Sequence, residues 1–203
     1  MVWLFLKMMF MGQLFLALIM NLALFGQPYE TQTYTVLDTI EGVEIRYYPA
    51  SVHVKTTSFQ GDSRNFSKLF SYISKGNQSD IKIAMTTPVY MEQNDTVQEM
   101  SFVLPKKYLA VTPPQPLQND VRICDVPAGY FAALRFGGYA SASKIDRYAT
   151  SLNRILKNHN MIAKGVLKTL VYDSPFSFFN RRNEVVFEID PQSLPSDIVT
   201  KQP

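Results

Sequence analysis

Apolar and polar residues alternate in Val43-Glu-Ile-Arg-Tyr-Tyr48, with Val43, Ile45 and Tyr47 on one side and Glu44, Arg46 and Tyr48 on the other. A period of two predicts a strand with one face turned inward. Beyond Pro49 the apolar residues move to the even positions Val52 and Val54, which implies a bend or bulge at the proline. The period then lengthens. In residues 63–76, Phe66, Leu69, Phe70 and Ile73 fall at i, i+3, i+4 and i+7, one face of a helix. Asp62 or Ser63 can cap its first turn, and Gly76 can take the left-handed conformation that ends it. Residues 81–91 are β-rich but contain Pro88, which has no N–H for a ladder and so marks an edge or a bulge. After a polar turn at Gln93-Asn-Asp95, a further strand over 97–104 puts Met100, Phe102 and Leu104 on one side.

The second half repeats this order. Strands at 121–126 and 130–136 are parted by Pro127-Ala-Gly129, and Gly137-Gly138 and Ser141 lead into a helix over 143–159. Its stripe is Ile145, Tyr148, Ala149, Leu152, Ile155 and Leu156. Strands over 166–172 and 184–189 follow, joined by a loop through Pro175 to Asn183. Two helices cannot cover both faces of a large open sheet. The predicted class is therefore α+β, a distorted antiparallel β-barrel of two β-α-β-β pseudo-repeats with two α-helices packed on it. One domain over residues 40–190 is expected, after a lead-in at 27–39 and before a flexible C-terminal tail at 191–203 that contains Pro191, Pro195 and Pro203.

With 203 residues, 46% of them hydrophobic, the chain can bury a substantial core as a monomer. The net charge of +3 is diffuse, which excludes the clustered basic face of a nucleic-acid binder. Residues 1–26 carry Lys7 as their only charge and precede the polar run Gln27-Pro28-Tyr29-Glu30. This predicts a signal peptide and a secreted protein, or, if uncleaved, a signal anchor in a membrane. Three Asn-X-Ser/Thr patterns, at Asn65, Asn77 and Asn94, are candidate glycosylation sites consistent with that route. Cys124 is the only cysteine, so no intrachain disulfide forms.

The chain is poor in catalytic chemistry. His53 lies in a β run and His159 in the last turn of a helix, and neither has the spacing of a metal pair. No general acid–base pair can be nominated, and neither a catalytic nor a metal site is expected. What remains is an aromatic supply: Phe66 and Phe70 on the first helix, and the loop Tyr172-Asp-Ser-Pro-Phe-Ser-Phe-Phe179 that runs into Arg181-Arg182. Arginine beside an apolar slot suits carboxylates. Alternatively, the loop merely lids the barrel and Arg182 pairs with Glu184 or Glu188.

Five runs, Val43-Glu-Ile-Arg-Tyr-Tyr-Pro49, Lys68-Leu-Phe-Ser-Tyr-Ile-Ser-Lys-Gly-Asn77, Lys82-Ile-Ala-Met-Thr-Thr-Pro-Val89, Arg135-Phe-Gly-Gly-Tyr-Ala140 and Arg181-Arg-Asn-Glu-Val185, resemble the SOUL family of heme-binding proteins, in the family's order. The resemblance implies the two-repeat barrel, binding of heme or other tetrapyrroles, and no enzymatic activity. It also implies an apolar heme groove in which Phe66, Leu69, Phe70 and Ile73 face Tyr172, Pro175 and Phe176, with Arg181 and Arg182 near the propionates. The histidine proposed as an axial ligand in one branch of the family falls at Tyr47, leaving Tyr47 and His53 as candidate iron ligands. A secreted heme carrier or scavenger is expected, with a protein-interaction domain on the same fold as the alternative.

Overall fold

The alternation at residues 43–48 becomes one of the strands that set the shape of the whole sheet. The computed structural model describes residues 29–59, 64–93, 96–177 and 179–201. In chain order its elements are β1 (Glu30–Thr31), β2 (Thr35–Ile40), β3 (Val43–Tyr48), β4 (Ser51–Phe59), α1 (Asn65–Ile73), β5 (Thr86–Thr87), β6 (Val89–Gln93) and β7 (Val97–Val103). There follow β8 (Val121–Val126), β9 (Gly129–Gly137), α2 (Ala142–Asn158), β10 (Ala163–Val171), β11 (Arg182–Ile189) and α3 (Ser196–Val199). Nine strands form one antiparallel sheet in the order β2-β3-β9-β11-β10-β6-β7-β4-β8, and β1 pairs with β5 in a short parallel ladder.

Apart from β2, the order reads alike from both ends: β3-β9-β11-β10 from one side and β8-β4-β7-β6 from the other. The two strand-helix-strand-strand halves are therefore related by a pseudo-twofold axis between β6 and β10. Each half lends its first strand to the other, β3 pairing with β9 and β8 with β4. The only residues between β3 and β4 are Pro49 and Ala50, and those between β8 and β9 are Pro127 and Ala128. Three peptide units span at most about 11 Å. Across a flat sheet the strands they join would stand about 29 Å apart, at six strand spacings. The sheet must therefore roll up, and the barrel-like curl follows from two short links.

Both helices lie on one face of this curl. Val43 and Ile45 pack with Leu152, Ile155 and Leu156 of α2, while Val52 and Val54 pack with Leu69, Tyr72 and Ile73 of α1. The change of parity across Pro49 thus keeps the apolar side toward a helix in both halves. Pro88 separates β5 from β6, as its missing N–H predicts.

Three local expectations are revised. The buried side of α1 is Asn65, Leu69, Tyr72 and Ile73, whereas Phe66 and Phe70 are 41% and 49% exposed. The helix is rotated because Tyr72 takes a core position, with its hydroxyl donating to the Pro114 carbonyl at 2.9 Å. At the end of α1 it is Lys75, not Gly76, that has the positive φ, of 87°. Gly76 is required for another reason: a Cβ there would stand 2.6 Å from the Ser71 carbonyl oxygen, to which its own N–H donates. The expected caps Asp62 and Ser63 lie outside the described residues. The tail is not loose through residue 201, because Leu194 and Ile198 of the third helix region are 7% and 1% exposed and join the α2 core.

Leu69→Ala should lower unfolding free energy by about 2–5 kcal/mol, and Phe66→Ala by about 1 kcal/mol, in urea titrations. Equal losses would contradict the rotated face.

Candidate functional site

The outward side of α1 carries an aromatic pair. Phe66 and Phe70 stack with ring centroids 5.9 Å apart and planes 14° apart, and Phe66 meets Phe102 edge-on at 5.4 Å. Phe102 lies opposite Val89 of β6, which lies opposite Val171 of β10, while Met91 sits between Met100 and Thr169. These residues form the helix-side surface of the central strands. The main contacts of α1 are to β4, β7 and β8, and those of α2 to β9, β11 and β10, so β6 is the central strand on which neither helix mainly packs, and the space over it lies between the helices. Met91, 40% exposed, is part of its open floor. Leu69 and Ile73 lie beneath α1 at 0% and 3% exposure and line no surface. A small depression of about 300 Å³ lined by Thr57, Ser58, Phe59, Lys68 and Val97 lies on the other flank of α1, where Lys68 pairs with Asp120 at 2.8 Å.

The loop before β11 distributes its residues differently from the expected groove. Val171 points to the helix side, so Tyr172 falls on the opposite face, where its hydroxyl donates to Glu184 Oε2 at 3.0 Å. Arg181 is 7% exposed, and its Nη1 donates to the carbonyls of Ser174 and Ser177 at 2.9 Å and of Pro175 at 3.4 Å. The guanidinium also stacks 4.4 Å from the Tyr139 ring. It is the internal staple of the loop. Pro175, Phe176 and Phe179 are consequently held outward, the two phenylalanines 83% and 88% exposed.

The helix-free face contains a buried ionic network that the sequence reading did not assemble. Arg46 donates to both carboxylate oxygens of Glu184, at 2.6 and 2.9 Å, to the Tyr48 hydroxyl at 3.0 Å and to Glu44 at 2.7 Å. Arg182 donates to Glu184 Oε1 at 2.7 and 3.0 Å, and its guanidinium lies 3.9 Å from the Tyr172 ring. Burial alone would raise the Glu184 carboxyl, but hydrogen bonds and charge from Arg46 and then Arg182 hold it below its ordinary value. Burial pushes the Tyr48 phenol up to about 12 and raises Tyr172 further, so both stay protonated, Tyr172 donating to Glu184 and Tyr48 accepting from Arg46. Of the two partners foreseen for Arg182, Glu184 is the one it has. The available signal was parity: Glu44, Arg46, Arg182 and Glu184 each occupy a polar position in an alternating strand. Nothing local shows that those positions meet one another.

The family model described as "SOUL heme-binding protein" matches residues 29–188. The chain belongs to the SOUL heme-binding protein family. This SOUL chain is 34% identical over 155 residues to human heme-binding protein 2, covering 70% of the chain and 75% of the relative. It is 32% identical over 127 residues to heme-binding protein 1 of Xenopus laevis, covering 59% and 66%. Solved structures share the fold alone. The EcmrR C-terminal domain aligns with a TM-score of 0.55 at 9% identity, over 77% of this chain and 98% of that one. A hydrolase from Listeria innocua aligns with a TM-score of 0.54 at 6% identity, over 75% and 94%.

Within the SOUL domain the two candidate iron ligands face opposite ways. Tyr47 packs on the helix side, edge-on to Tyr130 at 5.5 Å. His53 lies on the helix-free side at 5% exposure, its Nε2 3.0 Å from Ser51 Oγ and its Nδ1 3.4 Å from Ser101 Oγ. Burial, then the charges of Lys55 and Lys168, lower its pKa to about 4, so it is neutral at pH 7. Two glycosylation expectations are corrected. Asn65 is 3% exposed, and Asn77 is 2% exposed with its Nδ2 donating to the carbonyls of Tyr72 and Ile81, so the folded domain has no room for a glycan on either. Asn94 lies outside the described residues. Among the described residues no cluster of His, Cys, Asp and Glu could hold a metal ion.

Because the unfolded chain protonates His53 near 6.5 and the folded domain only near 4, stability should fall as pH drops through that interval. The loss should approach about 3 kcal/mol. His53→Gln should flatten that part of the pH profile in urea midpoints; an unchanged slope would assign it to other groups.

Proposed function

We propose that this protein binds heme or a related tetrapyrrole in the groove between α1 and α2, as a secreted, monomeric carrier or scavenger. One observation carries the reading: the exposed, stacked Phe66–Phe70 pair beside β6, whose Met91 is 40% exposed. A porphyrin plane laid there would bury several hundred Å², worth several kcal/mol at roughly 25 cal/mol per Å² before association costs. Family membership and the heme-binding names of the relatives support the ligand class. Arg181 and Arg182 make their contacts inside the protein, so the propionates point to the solvent-facing mouth. Capture is by apolar stacking without strong side-chain ligation, since both nitrogens of His53 have hydroxyl neighbours on the far side of the sheet. Secretion is supported by the apolar character of residues 1–26.

The exposed Phe176 and Phe179, fixed by Arg181, favour a second reading as a protein-interaction domain. Hemin titration followed in the Soret band separates the two. A saturable, near-stoichiometric shift is expected, weakened at least about tenfold in Phe66→Ala/Phe70→Ala. Weak, non-saturating absorbance equal to that of an unrelated protein would reject the tetrapyrrole reading and favour the second. For secretion, protein recovered from the medium of secretory cells should lack residues 1–26. Full-length protein in the cytosol would overturn it.

A further inference from the structure

Residues 29–34 cross the helix-free face as a strap. Two ladder pairs, Glu30 with Thr86 and Thr31 with Thr87, join it to β5, and the Gln32 N–H donates to the Thr87 carbonyl at 2.8 Å. Gln32 Oε1 accepts from the Tyr90 hydroxyl at 2.5 Å, and its Nε2 donates to Ser51 Oγ at 3.3 Å. No strap residue belongs to an apolar cluster; the first of the described residues that does is Leu37. A segment with polar anchors and no core side chain sits at the low end of local stability. Beneath it lie Arg46 and Glu184, 2% and 0% exposed. The strap is a plug over built structure.

Its Tyr34 makes the contacts of a bound ring. The ring centroid is 4.1 Å from Arg46 Cζ and 5.1 Å from the Tyr48 ring, and the hydroxyl oxygen accepts from Arg182 Nη2 at 2.8 Å. A guanidinium face attracts an electron-rich ring, and a guanidinium N–H takes its oxygen. Arg46 is held by Glu44, Tyr48 and Glu184, and Arg182 by Glu184 and the Tyr172 ring, so neither depends on Tyr34 for its position. The slot is preorganised. Two arginines and two glutamates balance in charge, so it selects for ring and oxygen rather than for net charge.

We propose that the Arg46–Arg182 slot is a second binding site, for a phenol-type aromatic, which the chain's own Tyr34 fills until a ligand displaces the strap. It lies on the opposite face of the sheet from the groove and does not rest on the tetrapyrrole reading. The test uses p-cresol, which reproduces the tyrosine side chain, and toluene, which lacks the oxygen, titrated into the full chain by calorimetry. Gln32→Ala removes two strap anchors without touching the slot and should raise the apparent p-cresol affinity about tenfold over wild type. Tyr34→Gly, which empties the slot, should bind tighter still, and toluene at least about tenfold more weakly than p-cresol in both variants. If Tyr34→Gly fails to fold, Gln32→Ala alone decides. Unchanged p-cresol affinity in Gln32→Ala, or toluene binding as well as p-cresol, would overturn the proposal.

Discussion

Two residues cannot join opposite sides of a flat nine-stranded sheet, and this chain makes such a join twice, through Pro49-Ala50 and Pro127-Ala128. The other features depend on that constraint. Rolling the sheet brings β3 and β11 into one inner surface, where Arg46 meets Glu184 across 138 positions of sequence. Because the halves exchange their first strands, neither can close its sheet alone. The core is accordingly split into an α1 cluster, an α2 cluster and a smaller one on the helix-free face.

The roll gives the faces different chemistry. On the helix side each helix covers its own half, leaving the space over β6 between them as an apolar groove walled by Phe66 and Phe70. On the other side the polar positions of several strands converge and must satisfy one another. A buried Arg–Glu pair adds little net stability when intact, but breaking it leaves an uncompensated charge. The bidentate geometry, with Tyr48 accepting from Arg46 and Tyr172 donating to Glu184, therefore makes the network a condition of the fold. It also explains why Arg182, which reads as a candidate propionate partner, has its contacts inside the protein.

The loop before β11 shows how a single side chain changes the meaning of a motif. An aromatic run ending in two arginines has the composition of a ligand clamp. With Arg181 drawn inward to three loop carbonyls, the loop becomes a turn that displays Phe176 and Phe179, while the parity of β10 sends Tyr172 to the ionic network. Family membership carries the ligand class, while the placement of each side chain decides how it can take part.

Periodicity along the chain determined the strands, both long helices, the change of face at Pro49, the break at Pro88 and the two-repeat order, because each reports which side of a local element is apolar. The family runs added the expectation of a tetrapyrrole groove. What covers each side was decided only in three dimensions. Tyr72 turned α1 so that Phe66 and Phe70 came to the surface. Asn77, polar and next to a glycine, was buried because two carbonyls needed its amide. Leu194 and Ile198 drew a proline-rich tail onto the core. Tyr34 lies outside every strand, yet its ring lies over a guanidinium from β3 and its hydroxyl accepts from one in β11. In each case the partner lies elsewhere in the sequence, and a pattern of neighbours along the chain carries no information about contacts made by folding.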